Sequence, residues 1–314
     1  MNKSVVNTPI FVVAPVRSGS TLLHLMLGSH PEITNPGECD FIFDLVDDAG
    51  NYPDMKEYRN WLSLNRIFNA KQLKTDETLS YPDLMQFYLQ QLIGTKALLT
   101  LNVHRNFHRI PGLFPAAKYI HLLRDPRDVA RSCIGMGWAG HVYYGVDIWI
   151  DAERSWDQLK STLDSSQYME VRYEELIEST ERTLTAICEF LGIDYSAHMM
   201  DYAEQSTYDL PNQRLTYQWK TKYSERELCL VEGKVGDMLI DRGYEPSGFS
   251  PDVADKYELL TLALENKLYR IKFSIKKYGF FLYAANVLSG GLGWLSLREY
   301  CQRKINQIDI EGLK

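Results

Sequence analysis

A chain of 314 residues is long enough to bury one large domain and carry an appendage, and its hydrophobic and charged fractions, 45% and 24%, are ordinary for a soluble globular protein. The formal charge of −7 argues against a general nucleic-acid binder. Five scattered cysteines with no C-x-x-C pair argue against a zinc ribbon or a disulfide framework, and no apolar leader fits before Pro9, so a cytoplasmic location is expected.

Ile10 to Ala14 is an unbroken apolar run between prolines, the pattern of a strand buried on both faces of a parallel sheet. Arg17-Ser18-Gly19-Ser20-Thr21 follows, and Leu22, Leu23, Leu25, Met26 and Leu27 open a helix. Strand, small-residue turn and helix start make an anion cradle: unpaired N–H groups and the positive end of the helix dipole point into the turn. The spelling is not a Walker A loop, because Gly19 stands alone and Ser20 occupies the lysine position. Ser29 to Glu38 is dense in turn formers, and Glu38 follows a Pro-Gly bend, where it serves either as a helix-dipole partner or as a proton acceptor. Residues 51–95 hold expected helices at Asp54–Leu62 and Tyr81–Ile93, with no assignable chemistry, and are expected to supply acceptor contacts.

A second strand is predicted over Ala97–Val103, which puts His104 at its carboxyl end, where ligands of open α/β sheets gather. The third, Lys118–Leu123, runs into Arg124-Asp125-Pro126, and Asp125 and Pro126 are a helix N-cap and first helical residue. Asp128 and Ser132 share one face of that helix. A fourth strand, Tyr168–Arg172, ends in Tyr173-Glu174-Glu175-Leu176. The helix Arg182–Leu191 carries a core stripe and stops at Gly192. Residues 206–223 form a loop with Trp219 and Lys220, and a capping box at Ser224 opens a helix expected to run to Gly243.

Beyond Pro251 the composition changes. Leu260, Leu264, Leu268, Ile271 and Ile275 recur at helical spacing among lysines and arginines, and Tyr278–Leu297 carries no Asp, Glu, Lys, Arg or His. Gly290, Gly291 and Gly293 would weaken a spanning helix there. The expected domains are residues 1–248 and a helical extension, 249–314, packed on the domain or on a second copy, with contact to a membrane surface the less favoured reading.

Three of these segments together carry a family resemblance. Pro-Val-Arg-Ser-Gly-Ser-Thr-Leu-Leu resembles the 5′-phosphosulfate loop of sulfotransferases that use 3′-phosphoadenosine 5′-phosphosulfate (PAPS). Leu-Leu-Arg-Asp-Pro-Arg-Asp-Val-Ala-Arg-Ser resembles their 3′-phosphate segment, and Tyr-Glu-Glu-Leu their adenine-contacting tyrosine signature. The resemblance implies an α/β fold with a central parallel sheet flanked by helices and transfer of a sulfuryl group to a hydroxyl or amine acceptor without a metal. It implies that Arg17, Ser18, Gly19, Ser20, Thr21 and Leu22 bind the 5′ end, Arg124 and Ser132 the 3′-phosphate, and Tyr173 the adenine. Arg17 would also act in catalysis, with Glu38 the first and His104 the second choice of base. The family's Arg-Lys-Gly lid triplet is absent, leaving Trp219 and Lys220 as substitutes, and Asn102 replaces the lysine that precedes the histidine in cytosolic members. The alternatives are a kinase-like protein, which the missing lysine disfavours, or a silent nucleotide-binding scaffold.

Overall fold

The computed structural model describes residues 8–292 and 294–311; the leaderless start expected for the chain and Gly293 lie outside them. Five parallel strands form one sheet, ordered β2-β3-β1-β4-β5: β1 Ile10–Val13, β2 Ile33–Thr34, β3 Leu98–Val103, β4 Lys118–Leu123 and β5 Tyr168–Arg172. The four strands expected from sequence are present. The turn-rich stretch after the first helix adds the two-residue strand β2.

β1 sits at the centre because every one of its side chains is buried. Phe11 and Val13 face one core with Leu101, Val103 and Tyr119, whereas Ile10, Val12 and Ala14 face the other with Leu23, Ile120 and Leu176. Period-two alternation between two apolar layers leaves no solvated face, which is why the strand reads as a continuous apolar run. Since all strands are parallel, the carboxyl ends of β1, β3, β4 and β5 lie on one edge of the sheet. They deliver the turn at Pro15, His104, Arg124 and Tyr173 to that edge.

One buried polar cluster fastens β4 to the helix Asp147–Lys160. His121 Nε2 lies 3.1 Å from Glu153 Oε1, and its ring stacks on Trp156 at 4.3 Å. The Arg242 Nε donates to the other Glu153 oxygen at 2.6 Å. These partners hold the Glu153 carboxyl below its usual range against the opposing effect of burial, and raise His121.

The capping box at Ser224 is formed, but the helix it opens, Glu225–Val235, stops at Gly236, whose φ of 61° and ψ of −143° are outside the helical region. A separate turn, Met238–Asp241, follows. The extension consists of the helices Lys256–Tyr278, Phe280–Leu292 and Leu295–Glu311, and it folds back onto the sheet domain. Asn266 Oδ1 accepts from the Gly140 N–H at 2.7 Å, and the Tyr269 hydroxyl donates to the Ile134 carbonyl at 3.1 Å. At its far end the Asn306 amide donates to the Leu64 carbonyl at 2.8 Å. Among the described residues, no helix is long and apolar enough to cross a membrane.

Glu153→Ala removes the carboxylate shared by the buried His121 and the half-buried Arg242, leaving them Glu170 at 3.5 Å and Asp157 at 2.6 Å. It is expected to lower the free energy of unfolding in urea by about 3–5 kcal/mol; a loss below about 1 kcal/mol would show that the cluster does not hold β4 in place.

Candidate active site

The helix Ser20–Ser29 begins at Gly19, whose φ of 89° lies in the left-handed region. Leu23 is the first residue whose N–H reaches a backbone carbonyl, that of Gly19 at 3.1 Å. The N–H groups of Gly19, Ser20, Thr21 and Leu22 therefore have no acceptor among the described residues, and all four residues line one cavity of about 780 Å3. A helix start left open in this way attracts an anion.

Three neighbours hold the turn. Arg17 has a φ of 72°, a strained value for a side chain with a Cβ. Its carbonyl accepts from Arg124 Nη1 at 3.0 Å, and its own Nε donates to Ser132 Oγ at 2.9 Å. The Tyr173 ring fills the space beside Gly19: a Cβ there would fall 2.2 Å from its Cδ2. The Arg124 guanidinium lies over the same ring at 4.3 Å. Segments 115 positions apart in the chain thus meet in one cleft, lined by Arg17, Arg124, Ser132 and Tyr173 together.

Ser18 departs from the group. It is fully buried, its hydroxyl has no partner among the described residues, and it does not line the cavity. Arg124 does line it: one N–H of each terminal nitrogen goes to a carbonyl, that of Nη2 to Leu215 at 2.8 Å, and the second N–H of each is left over beside the buried, unpaired Nε. The exposed cations in the cavity are Arg17, Arg131 and Lys222, none of which forms an ion pair among the described residues. Asp128 also lines the cavity; burial raises its carboxyl, which accepts from the Trp219 N–H at 2.9 Å.

Trp219 and Lys220 do not take the place of a lid. Trp219 is buried beneath Arg127 at 3.6 Å, and neither residue lines the cavity. Arg127 itself is buried between Asp125 and Glu232 and serves packing. What overhangs the cavity is the first part of the same 206–223 loop, including Tyr208, Leu210 and Asn212, joined by Lys222 and by Tyr269 of the extension. The sequence pointed to this loop but not to these residues within it, nor to Tyr269, although Arg131 could have been found as the neighbour of Ser132 one residue away.

Glu38 and His104, distant in sequence, face each other at 3.8 Å between Oε1 and Nε2. The cause is a set of backbone and amide bonds around Asn102: it donates to the Ser20 carbonyl at 3.1 Å, accepts from Asn35 at 3.2 Å, and pairs through its backbone with Gly37 and Cys39. His104 Nδ1 lies 3.0 Å from the Ala14 carbonyl, which can only accept, so Nδ1 carries the proton of the neutral ring and Nε2 presents a lone pair toward Glu38. The Glu38 side chain is 44% exposed and that of His104 4%. Neither lines the first cavity. Glu38 opens into one of about 620 Å3, and His104, with Val16, into one of about 800 Å3.

The profile of the sulfotransferase family matches residues 9–197, the stretch that contains β1 to β5 and every residue of this site but the overhanging loop and Tyr269. The chain belongs to the sulfotransferase family. It is 29% identical over 212 residues to an uncharacterized protein of Aquifex aeolicus, 62% of this chain and 26% of that protein, so it spans about a quarter of that relative. It is 23% identical to the omega-hydroxy-beta-dihydromenaquinone-9 sulfotransferase Stf3 of Mycobacterium bovis, covering 79% of this chain and 80% of the other. The sulfotransferase domain from the curacin biosynthetic pathway superposes with a TM-score of 0.57 at 18% identity, over 77% of this chain and 99% of that domain, and so shares the fold.

Next to Tyr173 in the chain, burial pushes the Glu174 carboxyl up to about 7. It accepts from the Asp125 N–H and the Tyr244 hydroxyl, each at 3.1 Å. A carboxyl raised on folding binds more protons in the native state than in the unfolded one, so its contribution to stability falls as pH rises from its ordinary value of 4.5 to about 7. Glu174→Gln, which mimics the protonated form, is expected to gain on the wild type by up to about 2–3 kcal/mol between roughly pH 5 and pH 8 in chemical unfolding. A wild type that gains on the variant over that range contradicts the assignment.

Proposed function

We propose that this enzyme transfers a sulfuryl group from PAPS to a hydroxyl or amine acceptor by in-line displacement, with Glu38 as the base. The observation that carries the reading is the open helix start in a cavity that also holds Arg17, Arg131, Ser132 and Tyr173. The residues fit a nucleotide with a phosphate at each end: four free amides, the cations Arg17, Arg124, Arg131 and Lys222 and the Ser132 hydroxyl for the charges, and an aromatic ring for the base. When bound, PAPS supplies an activated sulfuryl group on a phosphosulfate linkage.

The amides of Gly19 to Leu22 would hold the 5′ end and keep its charge from reorganising. The Arg17 fork, fixed through Ser132, would face the growing charge of the leaving oxygen. Arg131 and Ser132 would clasp the 3′-phosphate, and Arg124, bonded to the Arg17 and Leu215 carbonyls, would position the turn. Glu38, the more exposed of the facing pair, would take the acceptor's proton. The His104 Nε2 lone pair would receive a hydrogen bond from the Glu38 carboxyl once that proton has arrived.

Arg131→Ala is expected to weaken 3′-phosphoadenosine 5′-phosphate about tenfold or more by calorimetry, since a hydrogen bond to a charged group contributes about 1.5–3 kcal/mol. Unchanged affinity would remove Arg131 from the site. Glu38→Gln is expected to lower kcat by about a hundredfold or more while leaving nucleotide affinity intact. If Glu38→Gln and His104→Asn each keep wild-type turnover, neither residue is the base.

A further inference from the structure

The extension shows an apolar surface that the sheet domain leaves uncovered. Leu260, Leu264 and Leu268, four apart on the helix Lys256–Tyr278, point to solvent. In the next helix, Phe280–Leu292, Phe281 is 87% exposed, and Phe280, Val287 and Leu288 are also exposed. Trp294, ahead of the last helix, is exposed as well. That helix carries no charged side chain, yet its surroundings are strongly basic. Between Glu265 and Asp309 stand eight of the chain's 34 Lys and Arg and one acid, Glu299, and of the two bounding acids Asp309 pairs with Lys277 at 2.7 Å. Lys267, Arg270, Lys272 and Lys276 are exposed on the helix before it, and Arg303 and Lys304 on the helix after it.

We propose that this face docks the enzyme on the surface of an anionic lipid bilayer. Exposed Phe, Leu and Trp beside lysines and arginines match the two layers of such a surface, acyl chains under negatively charged headgroups. Crossing the bilayer is excluded for this helix: its 13 residues span about 20 Å, against a hydrocarbon core of about 30 Å. A two-fold dimer through the same face would set the basic segment against its own copy, whereas an anionic bilayer neutralises it. The face also adjoins the acceptor side. Trp294 and Arg298 are joined by an N–H to carbonyl bond of 2.9 Å, and Arg298, with Gln302 and Asn306, walls the cavity into which Glu38 opens. Docking through this face therefore brings the mouth of the Glu38 cavity to the lipid surface. The docking itself stands independently of the catalytic reading.

Flotation of the full-length enzyme with vesicles tests the proposal. Vesicles of phosphatidylcholine with about one third phosphatidylglycerol are expected to carry the protein at least about tenfold better than pure phosphatidylcholine, and high salt to release it. The double variants F281E/L288E and K272E/K276E are each expected to lose at least about tenfold in vesicle binding. Both should keep wild-type affinity for 3′-phosphoadenosine 5′-phosphate, which shows that they fold and separates this test from the nucleotide reading. No flotation with anionic vesicles, or equal flotation with neutral ones, overturns the proposal. So does a dimer in sedimentation that F281E/L288E dissociates while vesicles go unbound.

Discussion

A turn that leaves four amide groups bare must be held open by something other than its own hydrogen bonds, and that constraint shapes the site. Arg17 sits at a positive φ of 72°, which costs on the order of 1 kcal/mol for a residue with a Cβ. The strain persists because Arg124 bonds the Arg17 carbonyl, Ser132 takes its Nε, and Tyr173 packs where a Gly19 side chain would be. The side chains that the family resemblance associates with the nucleotide are thus also the ones that hold the cradle in shape. On the proposed reading, Arg17, Ser132 and Tyr173 would both preorganise the turn and bind the nucleotide.

The turn also separates two sides of the enzyme. Arg17 lines the cavity of the amides and Tyr173, while Val16, one residue before it, lines the cavity of His104. Glu38 and His104 meet on that second side because Asn102 binds the first helix, the Pro-Gly bend and β3 together. An asparagine in place of a lysine at this position exchanges a free charge for a fastener. The extension reaches both sides, with Tyr269 at the first cavity and Arg298 and Gln302 at the Glu38 cavity.

What was legible in the sequence was local. The β1 run, the Asp125-Pro126 helix start and the Ser224 capping box are set by neighbours within a few residues, and each forms as read. Gly236 ends its helix early because its φ of 61° and ψ of −143°, which glycine adopts without a Cβ clash, leave the helical region, whereas spacing alone runs on to Gly243. Arg124 and Arg131 are both arginines on one segment. Only the fold shows that both line the cavity, the first bonded to two carbonyls and the second exposed. Trp219 illustrates the same limit: an aromatic beside a lysine in a late loop reads as a lid, yet Arg127 draws it into the interior. Leu260, Leu264 and Leu268 show that a helical stripe establishes the face and not what covers it.

The central claim is that one nucleotide bridges the open helix start and the Arg131–Ser132 pair. A crystal structure of the enzyme with 3′-phosphoadenosine 5′-phosphate tests it most directly. The account predicts the 5′-phosphate on the amides of Gly19 to Leu22, the 3′-phosphate between Arg131 and Ser132, and the adenine against Tyr173. A nucleotide found in another cleft, or one whose two phosphates both avoid the turn at Arg17, would contradict it.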